Sequence, residues 1–189
     1  MWQNTDKGDV GVTFMQGMIR GQMILKGHYL IQNLPNTWAL AGIGDFNGDS
    51  NSDLLWQNTD KGDVGVTFMQ GTNITNGQYL AKGIPKEWQI VGVGDFNGDG
   101  NSDFLWRNTS TGQIIIMLMN DDTTYSNGRL LDVDLGWQVE GVFDFDGDFK
   151  SDILFRNTNT GEISIWLMDG TDISSYGSPG KVSYDWQIQ

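Results

Sequence analysis

The sequence predicts an all-β fold, a β-propeller of four-stranded antiparallel blades, on three observations. Similar segments recur about every 50 residues along the 189-residue chain, and that is the length of one propeller blade. Apolar residues alternate with small or polar ones, which is typical of strands with one buried face. Glycine is frequent, with 26 residues, and no segment shows helical periodicity of useful length. A β-solenoid and a β-sandwich are the alternatives that these observations leave open.

The repeat is clearest in two identical blocks of sixteen residues. The block from Trp2 to Gly17, WQNTDKGDVGVTFMQG, returns unchanged from Trp56 to Gly71, and weaker copies begin at Trp106 and Phe155. A second tryptophan series recurs at intervals of 50, 49 and 49 residues: Trp38, Trp88, Trp137 and Trp186. The chain therefore holds four blade-equivalents in one repeat domain, residues 1–189, with units at about 1–37, 38–87, 88–136 and 137–185.

Each unit is expected to contribute four strands. Three kinds of segment predict strands: the alternating segment 10–14 (VGVTF), the segment Trp88–Val93, and the segment Gln78–Leu80, which is expected to be the fourth strand of its unit. The segment Asn108–Gly112 (NTSTG) predicts a hairpin loop, because its glycine can take the positive φ that closes such a turn.

Three acidic loops carry the chemistry that the sequence predicts. Each has an oxygen-bearing side chain at its first, third, fifth and ninth positions, and its seventh position is expected to offer a main-chain carbonyl whatever the side chain. The candidate metal ligands are Asp45, Asn47, Asp49, Asn51 and Asp53 in the first loop, Asp95, Asn97, Asp99, Asn101 and Asp103 in the second, and Asp144, Asp146, Asp148, Lys150 and Asp152 in the third.

This spacing suits calcium, which takes six to eight oxygens at about 2.3–2.6 Å. Ten of the 24 acidic residues lie in the three loops, and so many carboxylates close together are costly unless a cation compensates them. Up to three Ca²⁺ are predicted, which would change the net charge from −13 to −7. An EF-hand is excluded because the twelfth position is Trp56, Trp106 or Phe155 instead of glutamate. Asx-rich turns without metal are the alternative, which three loops in phase disfavour.

The composition excludes several classes of protein. With 24 acidic and 11 basic residues, the chain is not expected to bind nucleic acid. The absence of cysteine excludes disulfides, thiol catalysis and cysteine-based zinc sites, and a single histidine excludes a histidine-rich metal site. No apolar stretch is long enough for a membrane helix, so no membrane insertion is predicted, and no signal peptide is visible.

The string GDFNGDGNSDFLWRNTSTG, residues 94–112, resembles the VCBS/FG-GAP repeat family, whose calcium-bearing blades also form the propeller of integrin α-subunits. The resemblance covers nearly the whole chain. It implies a β-propeller with calcium in loops between strands, in extracellular or cell-surface proteins that bind proteins or glycans. The Phe-Gly and Gly-Ala-Pro signatures of integrin repeats are missing, so integrin-like ligand binding is not implied. Phe149 stands where the second loop has Gly100, so the third site is expected to be strained if that position needs a positive φ.

The order of the strands predicts how the propeller closes. The first segment, Trp2–Thr5, has the sequence of the second strand of a blade, and the last segment, Trp186–Gln189, has that of the first strand. We expect these termini to pair and to complete one shared blade. Pairing within one chain gives a four-bladed ring, and pairing between two chains gives an eight-bladed homodimer. Relatives with seven or eight blades favour the wider ring.

The predicted function is that of a calcium-binding, non-catalytic module that acts as a binding or scaffold domain for protein or glycan ligands. Catalytic and organic-cofactor residues are not assigned, because one histidine and no cysteine cannot build the common nucleophilic sites. A glycan-binding lectin is the alternative, and a polysaccharide-active enzyme is the less expected one. Trp166, Met117 and Thr13 occupy equivalent strand positions, where a tryptophan stacks on a sugar or, more often, packs between blades.

Overall fold

The computed structural model describes residues 2–4, 6–19, 22–120, 125–126, 128, 130–183 and 185–186. All the regular structure in these residues is β-structure, sixteen strands in antiparallel sheets, and the predicted all-β fold is confirmed. Over the described residues, the chain contains no helix with the length and hydrophobicity needed to span a membrane.

Four sheets follow one another along the chain, and in three of them all successive strands are neighbours. We call them the first to the fourth blade. The first contains β1 (Trp2–Asn4), β2 (Asp9–Ile19) and β3 (Gln22–Ile31). The second contains β4 (Trp38–Gly44), β5 (Asp53–Asn58), β6 (Val64–Gln70) and β7 (Asn73–Ala81).

The third blade contains β8 (Trp88–Gly94), β9 (Asp103–Asn108) and β10 (Ile114–Met119), and two short segments, β11 (Tyr125–Ser126) and β12 (Leu130–Leu131), both pair with β10. The fourth contains β13 (Trp137–Phe143), β14 (Asp152–Asn157), β15 (Glu162–Asp169) and β16 (Asp172–Lys181). The first strands of the last three blades, β4, β8 and β13, lie side by side in that order.

The predicted hairpin at Asn108–Gly112 is confirmed, and the side chain of its asparagine organises it. The Asn108 Oδ1 atom accepts hydrogen bonds from the backbone N–H groups of Ser110 (2.9 Å) and Thr111 (3.0 Å). Gly112 has a φ of 83° and donates its N–H to the Asn108 carbonyl at 2.8 Å. The same arrangement recurs at Asn58 and Asn157, which explains the repeated NTxxG pattern.

The blades pack face to face, so the core consists of layers between neighbouring sheets. We call the side of a blade that meets the next blade along the chain its leading face, and the other side its trailing face. The leading face of the second blade buries Phe46, Leu55, Val64, Val66 and Phe68 against Phe104, Trp106 and Met119 on the trailing face of the third. Phe96, Leu105, Ile114 and Ile116 meet Ile153, Phe155 and Met168 between the third and fourth blades, and Val10 meets Leu54, Trp56 and Met69 between the first and second.

This two-sided burial explains the sequence of the second strands. In β5, Leu54 and Trp56 point to the trailing face and Leu55 to the leading face, and all three are buried. A strand that is covered on both sides has a continuous apolar run instead of alternation. The apolar runs LLW and FLW therefore belong to strands that lie between two other blades.

Glycines in the first strands let neighbouring blades approach closely. A Cβ atom at Gly94 would lie 2.7 Å from the Cγ1 atom of Val142 and 2.8 Å from the Cβ atom of Ser151, closer than real side chains come. A Cβ atom at Gly44 would lie 2.6 Å from the Cβ atom of Ser102. Both glycines immediately precede an acidic loop, so their lack of a side chain also sets the distance between successive loops.

We predict that Gly94→Ala lowers the free energy of unfolding by about 1–3 kcal/mol, because overpacking a filled interface forces the backbone or its neighbours to move. The matched control is Gly177→Ala, since an added Cβ there meets no atom within 4 Å. The control should change the free energy of unfolding by less than about 0.5 kcal/mol. Urea unfolding measures both values, and equal effects would contradict the proposed close approach.

The expected pairing of the two termini lies mostly outside the described residues. Thr5 and residues 187–189 are not among them, while Trp2–Asn4 forms β1 and pairs with β2. Ring closure therefore remains a prediction.

Candidate metal centres

The acidic loops connect the first strand of a blade to its second strand, in the last three blades. The first loop joins β4 to β5, the second joins β8 to β9, and the third joins β13 to β14. The fifteen predicted ligand residues all lie in these connections or at the first residue of the strand that follows. Of the carboxylates among them, the described residues bring those of Asp144, Asp146 and Asp152 within reach of one ion.

The first aspartate of each loop holds the turn together through its carboxylate. In the second loop, Asp95 accepts hydrogen bonds from the N–H groups of Gly98 (2.7 Å) and Gly100 (2.8 Å). In the third loop, Asp144 accepts equivalent bonds from Gly147 (2.7 Å) and Phe149 (3.0 Å). These bonds coil the chain around the carboxylate, which brings alternate side chains toward one centre.

The coil requires a left-handed backbone at the sixth loop position. Gly100 has a φ of 90°, Ser50 a φ of 67° and Phe149 a φ of 68°. The expected strain at Phe149 is therefore present, because a bulky residue rarely adopts this conformation. Its side chain is 86% exposed, so burial does not offset the strain. Ser50 carries the same strain in the first loop, a point that the sequence analysis missed.

The ninth aspartate of each loop is buried and connects the loop to the third strand of its blade. Asp103 is fully buried, and its two carboxylate oxygens accept hydrogen bonds from the N–H groups of Phe96 and Met119, both at 2.8 Å. Asp53 and Asp152 make the same pair of bonds at 2.8–3.0 Å. This residue type is therefore structural as well as a candidate ligand.

Burial raises the pKa of Asp103 to about 7. The two N–H donors oppose this shift, whereas the negative charges of Asp95 and Asp99 add to it. The pKa values of Asp53 and Asp152 are also raised, mainly by burial. A cation in the loop would favour the ionised form of these carboxyl groups, because it lies next to the charge that burial penalises.

The third loop has the spacing of a cation site. Asp144, Asp146 and Asp152 each present one carboxylate oxygen, and these atoms lie within 4.8 Å of one another. Oxygens bound to one calcium at 2.3–2.6 Å lie no more than about 5 Å apart. The three carboxylates therefore fit a shared calcium ion.

In the first two loops, asparagine amides stand at two of the candidate ligand positions. The Nδ2 atoms of Asn97 and Asn101 donate to the Asp99 carboxylate at 2.9 and 3.0 Å. The same two contacts join Asn47 and Asn51 to Asp49. These amides fit calcium as well, since turning an amide directs its oxygen toward the centre instead of its N–H.

Lys150, at the seventh position of the third loop, forms ion pairs with neighbouring acidic residues. Its Nζ atom lies 2.6 Å from a carboxylate oxygen of Asp169 and 4.0 Å from one of Asp148. The hydrogen bond to Asp169 is the main reason that the pKa of Lys150 is raised. The ammonium group thus compensates part of the negative charge beside the loop, and only its main-chain carbonyl is a candidate ligand.

Successive loops are hydrogen-bonded to one another, which the sequence analysis did not predict. The Ser102 N–H donates to the Asp45 carbonyl at 2.5 Å, and the Asp45 N–H donates to the Ser102 Oγ atom at 3.0 Å. The Ser151 N–H donates to the Asp95 carbonyl at 2.6 Å. Serine stands at the eighth position of all three loops, so this recurrence was the available signal.

A separate cleft of about 410 Å³ lies between the third and fourth blades. Trp137, Trp166 and Tyr176 line it together with the carboxylates of Asp132 and Glu162. Trp166 is half-buried, and its ring centroid is 4.7 Å from that of Phe155, so it packs between blades and also borders the cleft. Tyr176 is 76% exposed.

Comparisons with known proteins agree with this architecture. The model of the FG-GAP repeat family matches residues 88–117, which include the second acidic loop. The structure is similar to the β-propeller domain of Cps50 (Swd1) from Myceliophteria thermophila, with a TM-score of 0.53, 13% identity and 94% of this chain covered. The chain spans 54% of the length of that domain. A search of curated proteins gave no sequence match.

We predict that Asp103→Ala lowers the free energy of unfolding by about 2–4 kcal/mol in the presence of a calcium chelator, because two buried N–H groups lose their acceptor. Asp99→Ala, an exposed change in the same loop, is the control and should cost less than about 1 kcal/mol under these conditions. Urea unfolding measures both. Equal losses would show that the ninth aspartate has no structural role beyond that of its neighbours.

Proposed function

The chain carries an FG-GAP repeat within β-propeller blades, and from this premise we propose that it is a calcium-binding module that acts as a non-catalytic binding or scaffold domain. The observation that carries the proposal is the group of oxygens from Asp144, Asp146 and Asp152, which lie within 4.8 Å of one another. The first two loops repeat the same coil with two asparagines among their candidate ligands.

The residues that would hold calcium are the five candidate ligands of each loop. Carboxylates at the first, fifth and ninth positions carry the charge, the third position adds a carboxylate or an amide oxygen, and the seventh adds a carbonyl. Bound calcium supplies positive charge where ten carboxylates are concentrated. Up to three ions per chain are proposed.

The contacts between loops support a structural role for these sites. Asp45 and Asp95 begin loops that are hydrogen-bonded to Ser102 and Ser151 of the next loop. The ninth aspartate of each loop is also bonded to the third strand of its blade, as Asp103 is to Met119. An ion that orders one loop therefore restrains strands within that blade and the loop of its neighbour, which suits a rigid binding platform.

An extracellular or cell-surface location is part of the proposal. FG-GAP repeats are typically extracellular, and calcium is abundant outside cells. A non-catalytic role is proposed because the carboxylates of the three loops are engaged with backbone N–H groups in a repeated pattern, which a catalytic pair would not require. A polysaccharide-active enzyme is the less favoured alternative, and hydrolysis of acidic polysaccharides by the purified chain would establish it.

We expect excess calcium to raise the melting temperature relative to the protein in chelator, because a ligand that binds only the folded state stabilises it by mass action. Magnesium should stabilise less, since it requires a small octahedral site and releases its waters reluctantly. Differential scanning calorimetry measures both effects. Equal melting temperatures in calcium and in chelator would contradict calcium binding.

Two matched variants compare the loops in the same titration. Asp99→Ala and Asp148→Ala each remove the fifth ligand, one from the second loop and one from the third. Isothermal calorimetry should show the loss of one site of three in each case, with unequal changes in affinity. The third loop differs from the second because it has four carboxylates but also the strained Phe149. Identical losses would contradict this difference.

A second candidate function, glycan binding, is favoured by the aromatic cleft. Trp166 and the exposed Tyr176 offer ring faces for a sugar, and Asp132 and Glu162 offer acceptors for its hydroxyl groups. This function is compatible with the calcium-stabilised scaffold, since the cleft is separate from the acidic loops.

We predict that a labelled chain binds a subset of a glycan array and that Tyr176→Ala weakens this binding about tenfold, which corresponds to about 1.4 kcal/mol. Phe149→Ala is the control, because Phe149 is an exposed aromatic residue outside the cleft. An array without any bound glycan, or equal losses in both variants, would reject the glycan site and leave the scaffold role.

A further inference from the structure

The fourth blade exposes a face that the second and third blades bury. The phenylalanine at the second loop position is fully buried in those two blades, as Phe46 and Phe96, because the next blade covers it. Its counterpart in the fourth blade, Phe145, is 41% exposed, and the neighbouring Phe143 is 47% exposed. Their rings meet edge to face at 5.8 Å.

These rings belong to a larger apolar surface. A groove of about 430 Å³ on the same side of the fourth blade is lined by Phe145, Ile165, Leu167 and Tyr176. We call Phe143, Phe145, Ile165 and Leu167 the open face. Ile165 and Leu167 occupy the positions of Val66 and Phe68, which are 2% exposed in the second blade. The open face is therefore a leading face whose covering blade is absent from the described residues.

The segment after the fourth blade is already placed for a following blade. At the first two blade boundaries, the residue after the motif tryptophan donates to the carbonyl of the next blade's first tryptophan, whereas Arg107 at the third boundary donates to the Asp134 carbonyl at 3.2 Å. Gln3 bonds to Trp38 at 3.2 Å, and Gln57 bonds to Trp88 at 2.8 Å. Arg156 makes the corresponding bond to Trp186 at 2.9 Å. The Trp186 side chain nevertheless remains 69% exposed, whereas Trp88 is half-buried.

The four blades follow one another in a curved row, which we call the arc. Its extent indicates whether the first blade of the same chain or that of a second copy can cover the fourth blade. The four blades superpose on 54% of the length of a β-propeller domain, so they follow about half of a ring. The interfaces within the chain join the first blade to the second, the second to the third, and the third to the fourth. The first blade of the same chain is therefore at the opposite end of the arc.

We propose that the open face docks the first blade of a second copy of this chain, twice about a two-fold axis, which gives an eight-bladed ring. The occupant follows from the repeat. The block Trp56–Gly71 supplies Trp56 and Met69, which cover Val10 at the boundary between the first two blades. The first blade has the same sixteen residues, Trp2–Gly17, and so carries the same covering side chains by sequence. A two-fold arrangement satisfies both ends of each arc and closes the assembly.

The strand register specifies the contact. Ala39 pairs with Gln57, Gln89 with Arg107, and Gln138 with Arg156, always between the first and second strands of a blade. By its place in the repeat, Gln187 is the sequence counterpart of Ala39, Gln89 and Gln138, so the proposal pairs it with Gln3 on β1 of the other copy. This pairing covers the strand edge that β1 otherwise leaves open.

The first test is the mass of the native chain in buffer with calcium, measured by light scattering. A mass of twice 21.0 kDa supports the proposal, and a mass of 21.0 kDa overturns it. Phe145→Asp should weaken association at least 100-fold, because a charge then faces the apolar partner surface. Ile74→Asp is the control, since Ile74 is 45% exposed on β7, away from the open face, and this variant should remain dimeric. Equal masses for the two variants would contradict docking at the open face.

The second test does not depend on how well Phe145→Asp folds. The chain has no cysteine, so Gln3→Cys combined with Gln187→Cys introduces one defined pair. Under mild oxidation we expect a disulfide between chains, seen as a band of twice the chain mass on a non-reducing gel, and Gln3→Cys alone should give far less of it. A disulfide within one chain would show a four-bladed ring and overturn the proposal. The absence of any disulfide in the double variant would also overturn it.

Discussion

A buried aspartate at the start of the second strand is the constraint on which the last three blades depend. Asp53, Asp103 and Asp152 each divide their two carboxylate oxygens between an N–H of the acidic loop and an N–H of the third strand. The carboxylate thus accepts the hydrogen bonds of two backbone N–H groups and connects the acidic loop to the third strand. Burying this charge is unfavourable, which raises the pKa of Asp103, and a cation bound in the same loop would relieve that cost. The fold and the candidate metal site therefore share one residue.

The blades are incomplete without their neighbours, and this accounts for both the loop contacts and the exposed face. Each leading face becomes a core only when the next blade covers it, and the first two loops are bonded to the serine of the loop that follows. Repeat proteins gain much of their stability from such nearest-neighbour interfaces, and their terminal repeats need a cap or a partner. Phe96 is fully buried because the fourth blade covers it, whereas Phe145 is exposed because no described blade covers the fourth.

The parts of the structure that obey local rules could be predicted from the sequence. The repeat length and the period-two pattern predicted the strands, and the NTSTG segment predicted the hairpin. Phe149 in place of Gly100 predicted strain on the condition that this position needs a positive φ, and it has one. Contacts between blades could not be predicted in this way, because they join residues about fifty positions apart. Ser102 was overlooked although serine recurs at the eighth position of all three loops, because its partner Asp45 lies in another loop. The exposure of Phe145 depends on whether another blade covers it. The aromatic cleft at Trp166 likewise exists only where two blades meet.

The central claim is that the loops are calcium sites whose ligands are fixed by the fold. A crystal structure grown in calcium, with diffraction data collected at a wavelength where calcium scatters anomalously, tests it most directly. The account predicts three anomalous peaks per chain, one in each acidic loop, with oxygens of the first, third, fifth, seventh and ninth residues at about 2.3–2.6 Å. Loops without anomalous peaks, or peaks bound only by other residues, would contradict it.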